Sequence, residues 1–190
     1  LAQRPAPNAP RVDRVGLTED TVAGHIDVAA AALSFGLTHV VHLSVMGFDA
    51  HNAGWGFLGH AGDAHEALAH VSNGYRRESA TAAMIAIIGF KAQQLARLYQ
   101  ALDTFPEGDE TLATRTLFVW INSGGGKHHE GSKYHPIVTI GDAGGQWRAG
   151  QFTEFGNPPE MVAGLASIAA CFAPDVAFNG VNAPLTELVS

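Results

Sequence analysis

The chain has 190 residues, of which 46% are hydrophobic and 15% charged, with a formal net charge of -7. That length can bury a substantial core in one ordinary domain, and so thin a polar surface is expected to be covered in part by protein partners or a second copy of the chain. Only 11 Lys and Arg with no basic run exclude nucleic acid and anionic membrane as partners, and no apolar run nears the ~20 residues of a transmembrane segment.

Residues 1 to 16 contain three prolines and little apolar content, which predicts an extended arm or linker ahead of a single domain over 17–190. Thr18 is a good N-cap, with Glu19 and Asp20 in the first turn, where the helix dipole favours acids. Val22, Ile26, Ala29, Ala30 and Leu33 then recur at helical spacing and Gly36 is the natural stop, so the first helix is expected over 19–35. His25 falls close to that stripe and reads as a packed or capping imidazole.

Thr38 to Met46 is β-branched and almost uncharged, which suits a strand covered on both faces, as in a parallel sheet. Residues 47 to 62 form a loop with five glycines and the aromatics Phe48, Trp55 and Phe57, a composition more often functional than filler. A short helix is expected from near Asp63, and Asn73-Gly74 marks a turn. From Ser79 the positions Met84, Ile87, Ile88, Lys91, Leu95, Leu98 and Leu102 follow the helical period for about six turns, stopping at Phe105-Pro106.

After an exposed turn at Glu107 to Glu110, Thr116 to Ile121 is a second buried strand, and a polar glycine loop runs to His135. Pro136 to Ile140 is a third strand, leading into Gly141-Asp142-Ala143-Gly144-Gly145. A helix is predicted from Pro159 to Phe172, because proline is tolerated in a first helical turn. Within it the lone Cys171 cannot form an internal disulfide, and it reads as a small buried hydrophobe rather than a reactive thiol. The tail from Phe178 to Leu188 is expected to be irregular and docked by its leucines. Helices alternating with apolar strands predict an α/β fold with a mostly parallel sheet flanked by helices.

Three chemical motifs fail on inspection. Gly126-Lys127 resembles the end of a P-loop, but Ile121 and His128 stand where that motif needs glycine and Ser/Thr. Gly141-Asp142-Ala143-Gly144-Gly145 has Ala143 at the second glycine of a dinucleotide fingerprint. His65-Glu66 with His70 suggests a zinc-protease helix, yet a five-residue separation turns the two rings about 140° apart.

What remains is a set of polar groups in two glycine loops that each follow a predicted strand. Asp49 and His51, two apart, leave the same face of an extended segment and suit one ion. His128, His129 and His135 lie in the second loop. If the strands are neighbours, both loops open on one edge of the sheet, and Asp49 and His51 with a histidine of the second loop make a metal site for zinc, manganese or calcium, able to acidify a bound water or hold an anionic ester. The alternative is that both loops are polar turns whose histidines cap backbone groups. Glu66 reads as an acid in a first helical turn rather than a partner orienting a histidine.

Gly47-Phe48-Asp49-Ala50-His51-Asn52 after an apolar run resembles the glycine-aromatic-Asp-Thr-His-Asn motif of sulfatase-like exported proteins in the alkaline phosphatase superfamily. The order of further landmarks resembles a sister group, the HXXSHH protein family. These landmarks are Leu37 to Val40, His65-Glu66-Ala67-Leu68-Ala69-His70, Pro106 to Leu112, Pro136 to Gly145 and Asn182 to Leu188. The resemblance implies an alkaline-phosphatase-like α/β sandwich, bacterial export to the periplasm or medium, and a metal site with His65 or His70 as a ligand or acid/base. The chain departs from the signature at Ala69, where serine is expected, and at Val71, where histidine is. Tyr134 replaces the acid before His135. The match is to the C-terminal part of longer proteins.

Two functions follow from this reading. One is a non-catalytic scaffold or accessory subunit of a larger exported complex. The alternative is a metal-dependent hydrolase of phosphate or sulfate esters, or the C-terminal part of one, with Asp49, His51 and His135 as metal ligands and His65 or His70 as ligand or acid/base. The motif losses, the extended arm and the thin surface charge favour the subunit.

Overall fold

The computed structural model describes residues 18–43, 55–59, 77–121, 136–154, 161–175 and 185–189. The chain divides into two compact units, Leu1–Gln94 and Leu95–Ser190. The described residues form helices α1 (Glu19–Ser34), α2 (Arg77–Asp103) and α3 (Met161–Ala170), a 3-10 turn at Trp55–Leu58, and strands β1 (Pro106–Glu107), β2 (Glu110–Thr111), β3 (Phe118–Ile121) and β4 (Ile137–Ile140). The predicted arm over residues 1–16 lies outside them.

Both ends of α1 follow from single residues. The Thr18 hydroxyl accepts from the Thr21 N–H at 3.1 Å while the Thr21 hydroxyl accepts from the Thr18 N–H at 2.9 Å, a capping box that satisfies two backbone donors. At the other end Gly36, at φ 62°, takes the left-handed position after the C-cap. Its N–H reaches the Leu33 carbonyl, and the Leu37 N–H reaches that of Ala32. These two bonds make a Schellman motif, which the missing Cβ of glycine permits. Val22, Ile26, Ala29 and Ala30 are buried, the helical stripe expected from the sequence.

Along α2 the buried residues are Ala80, Ala83, Ile87, Phe90, Gln94, Leu98 and Leu102, spaced by three or four throughout. Ile85 and Ile88 point outward instead. In the first unit the core is Val22, Trp55, Ile87 and Phe90, with Phe57 and Leu58 packed against it.

In the second unit Phe118, Trp147, Ala113 and Ala166 are buried with Leu98 and Leu102. β3 and β4 pair antiparallel, with Phe118 opposite Ile140 and Ile121 opposite Ile137. β1 and β2 form a second, minimal hairpin around Gly108-Asp109. The predicted mostly parallel sheet flanked by helices is therefore wrong: the described strands make two antiparallel pairs, and the fold is not alkaline-phosphatase-like. The first predicted strand, Thr38 to Met46, fails over its described residues as well, Ser44 to Met46 lying outside them. Residues 38–43 have no regular structure, the Thr38 hydroxyl bonds both the N–H and the carbonyl of Val40, and His39, Val40 and His42 are exposed.

An apolar β-branched run shows that both faces of a strand can be covered, and it does not show the direction of the neighbour. Here each face meets a helix over part of its area, while Ile121, Val138 and Ile140 stay exposed. Phe118 meets Tyr99 of α2, ring centroids 5.5 Å apart. On the other face Gly164 of α3 lies so close that a Cβ would stand 2.9 Å from Ile137 Cδ1.

The C-terminal segment 185–189 is held chiefly by hydrogen bonds, its leucines being only half-buried. The fully buried Ser167 hydroxyl donates to Ala163 O and accepts the Leu185 N–H, each at 2.8 Å. Arg148 N–H reaches Leu188 O, Gln151 Nε2 reaches Glu187 O, and Trp147 bridges Val189. Cys171 is a free, half-buried thiol whose pKa burial pushes up, in keeping with an unreactive side chain.

Gly141 is the tightest backbone position. At φ 87°, a Cβ there would overlap the Thr116 carbonyl, which is backbone and cannot swing away. Gly141→Ala is expected to destabilise the second unit by roughly 3 kcal/mol, combining left-handed strain with overpacking. Urea unfolding followed by Trp147 fluorescence measures it.

Candidate functional site

All five residues singled out for metal or acid/base chemistry, Asp49, His51, His65, His70 and His135, lie outside the described residues, as do His128 and His129. Among the described residues no group of three or more His, Cys, Asp or Glu comes together. Of the three described histidines, His39 and His42 are exposed, while His25 lines a shallow groove.

The described part of the first glycine loop instead delivers Trp55 to the core. The 3-10 turn Trp55–Leu58 closes with the Gly59 N–H on Gly56 O at 2.9 Å and leaves Trp55 with no exposed surface. Phe90 of α2 stands edge-on to it, centroids 6.2 Å apart at 75°, and Phe57 is tilted against it at 5.8 Å. Phe57 and Phe90 are themselves in edge contact at 5.1 Å. Each such pair adds about 0.5–1.5 kcal/mol to the area buried, so the three rings fasten the turn to α2.

Two polar groups are set into this apolar cluster, and a third, Gln94, lies one helical turn beyond Phe90 on α2. Lys91 Nζ lies 5.7 Å from the Trp55 ring centroid, a cation–π contact. Burial pushes the Lys91 pKa below the usual lysine range, and among the described residues no carboxylate pairs with it. The Trp55 indole N–H is buried with no acceptor among the described residues, and the buried Gln94 Oε1 has no donor. A buried indole ordinarily finds a partner. Trp147 does so, donating to Thr139 Oγ1 at 3.0 Å. Trp55 is the exception, and an unpaired buried donor or acceptor costs about 1–3 kcal/mol.

Sequence periodicity already placed Lys91 in phase with Ile87 and Leu95, and a lysine inside an apolar stripe was the legible signal of this site. Gln94, one helical turn on, carried no such signal. Trp55 and Trp147 pack in cores, whereas Phe152 is exposed.

The second feature is apolar surface around α1. A groove of about 180 Å³ is lined by His25, Val28, Ala29, Ala32, Val41 and Leu43. Val28 is 68% exposed, and the segment after the helix exposes Phe35 (74%), Leu37 (78%) and Val40 (80%). No helix among the described residues is long and apolar enough to cross a membrane.

Lys91 gives a stability prediction with a defined sign. In the unfolded chain it titrates near the ordinary value of 10.5, and in the folded protein burial lowers it. Between those two values the unfolded state binds more protons, so stability rises with pH across the window and the desolvation penalty is complete below it. Lys91→Met is expected to raise the thermal midpoint at pH 7, with the gain shrinking as pH climbs through the window. Differential scanning calorimetry at pH 7 and pH 10.5 measures both.

Compared with protein-family models, curated proteins and solved structures, the chain matches none.

Proposed function

We propose that the protein is a non-catalytic scaffold subunit that works within a larger assembly and associates with at least a second copy of itself. The observation that carries this reading is the apolar surface around α1. Val28 projects from a helix whose opposite face is buried, and Phe35, Leu37 and Val40 stand out from the segment that follows. Covering one such side chain completely is worth about 1.5–3 kcal/mol, so a contact over several of them supplies a useful share of association energy.

The low charged fraction supports the same reading, since few charges oppose close approach of two surfaces. The groove beside Val28 offers a concave apolar seat for a side chain of the neighbouring copy, with His25 as its polar margin.

Light scattering on the purified protein is expected to give a mass above the 19.9 kDa of one chain. The double variant Val28→Asp, Val40→Asp is expected to lower it to one chain while leaving circular dichroism unchanged, because both side chains are exposed. A wild-type mass of 19.9 kDa, unaltered by the double variant, would refute the proposal.

A further inference from the structure

We infer that Phe35 of one copy seats in the apolar groove beside α1 of a second copy, and reciprocally, so that the two α1 helices pair antiparallel about a two-fold axis beside Ala32. This seating rests on the self-association proposed above and names the contact that carries it.

The groove and its occupant lie on one stripe of the same helix. His25, Val28 and Ala32 line the groove together with Ala29, Val41 and Leu43. Phe35, the C-cap residue, follows Val28 by seven positions and Ala32 by three, the spacing that keeps side chains on one helical face. At 74% exposure its ring is not seated in the groove of its own chain.

The groove has the size and chemistry of a phenyl seat. Its volume is about 180 Å³, and an apolar cavity of about 150 Å³ is enough to hold a benzene ring. Five of its six lining side chains are Val, Ala or Leu, and the imidazole of His25 stands exposed at its margin. Of the exposed apolar side chains around it, Val28, Phe35, Leu37 and Val40, only Phe35 carries a ring.

A knob and a hole on the same stripe are self-complementary under a two-fold axis. Each Phe35 enters the partner's groove, and the pair closes with no further copy. The groove centres between Val28 and Ala32, so the axis passes midway between it and Phe35, where the small Ala32 lets the helices approach. Charge fixes the direction. The charged residues of α1 are Glu19, Asp20 and Asp27, all acids. A parallel pair would set them side by side. The antiparallel pair carries the two Glu19 residues about 40 Å apart along the axis, far beyond the ~8 Å over which exposed charges interact at physiological salt.

Light scattering on Phe35→Ala tests the seat, and cross-linking tests the direction. The closed pair holds two rings, so Phe35→Ala is expected to weaken self-association at least about a hundredfold, with circular dichroism unchanged because the side chain is exposed. Ala31 is exposed and lies beside the stripe near the axis. With the lone Cys171 replaced by serine, Ala31→Cys is expected to be joined into a covalent dimer by a short bis-maleimide, whereas Glu19→Cys is not. A wild-type mass above one chain that Phe35→Ala leaves unchanged, or equal cross-linking of the two cysteine variants, would overturn the seating and leave self-association standing. A wild-type mass of 19.9 kDa would overturn both.

Discussion

The structure depends on one row of side chains, the buried face of the 27-residue α2. A helix of that length shows a given face only if its apolar positions keep step with 3.6 residues per turn, and the spacing from Ala80 to Leu102 does so without a slip. The chemistry of the row changes along its length. Ile87 and Phe90 receive Trp55, Gln94 brings a polar side chain into the row with the half-buried Lys91 at its edge, and Leu98 and Leu102 return it to aliphatic packing. An apolar row would hold the helix as well. The polar insertion between two apolar stretches is what gives the first unit its candidate site.

Local signals in the sequence were legible because the physics behind them is local. Thr18 caps a helix by bonding a backbone N–H three residues away, and Gly36 ends it by adopting a positive φ within one residue. The existence of α2 and its end before Pro106 needed no more than spacing, although of the expected stripe Ile87, Leu98 and Leu102 are buried while Ile88 is exposed. The sheet was not legible, because strand direction is decided by partners far along the chain. Val119, Ile137 and Val138 carry the same β-branched signature in an antiparallel hairpin as in a parallel sheet. The run from Thr38 shows the converse: strand-like composition, held in a turn by a hydroxyl that bonds Val40 on both sides.

For the site, histidine spacing drew attention to Asp49, His51, His65, His70 and His135, while the described structure drew it to a lysine. A charged residue in phase with an apolar stripe is visible in the sequence, but whether it is buried depends on what covers it. Trp55 does so here, reached from a glycine loop over thirty residues away in the chain. The indole without a partner could not have been anticipated, since Trp147, of the same residue type and equally buried, is satisfied by Thr139.

The most direct measurement is the titration of the lysine side chains by carbon-13 resonance, practicable because the chain has only Lys91, Lys127 and Lys133. A resonance absent from Lys91→Met should titrate with a midpoint below the ordinary 10.5, because burial disfavours the charged ammonium. The same resonance titrating at 10.5 or above would mean that Lys91 is solvated or already paired with an acid, and the account of the buried polar row would fall.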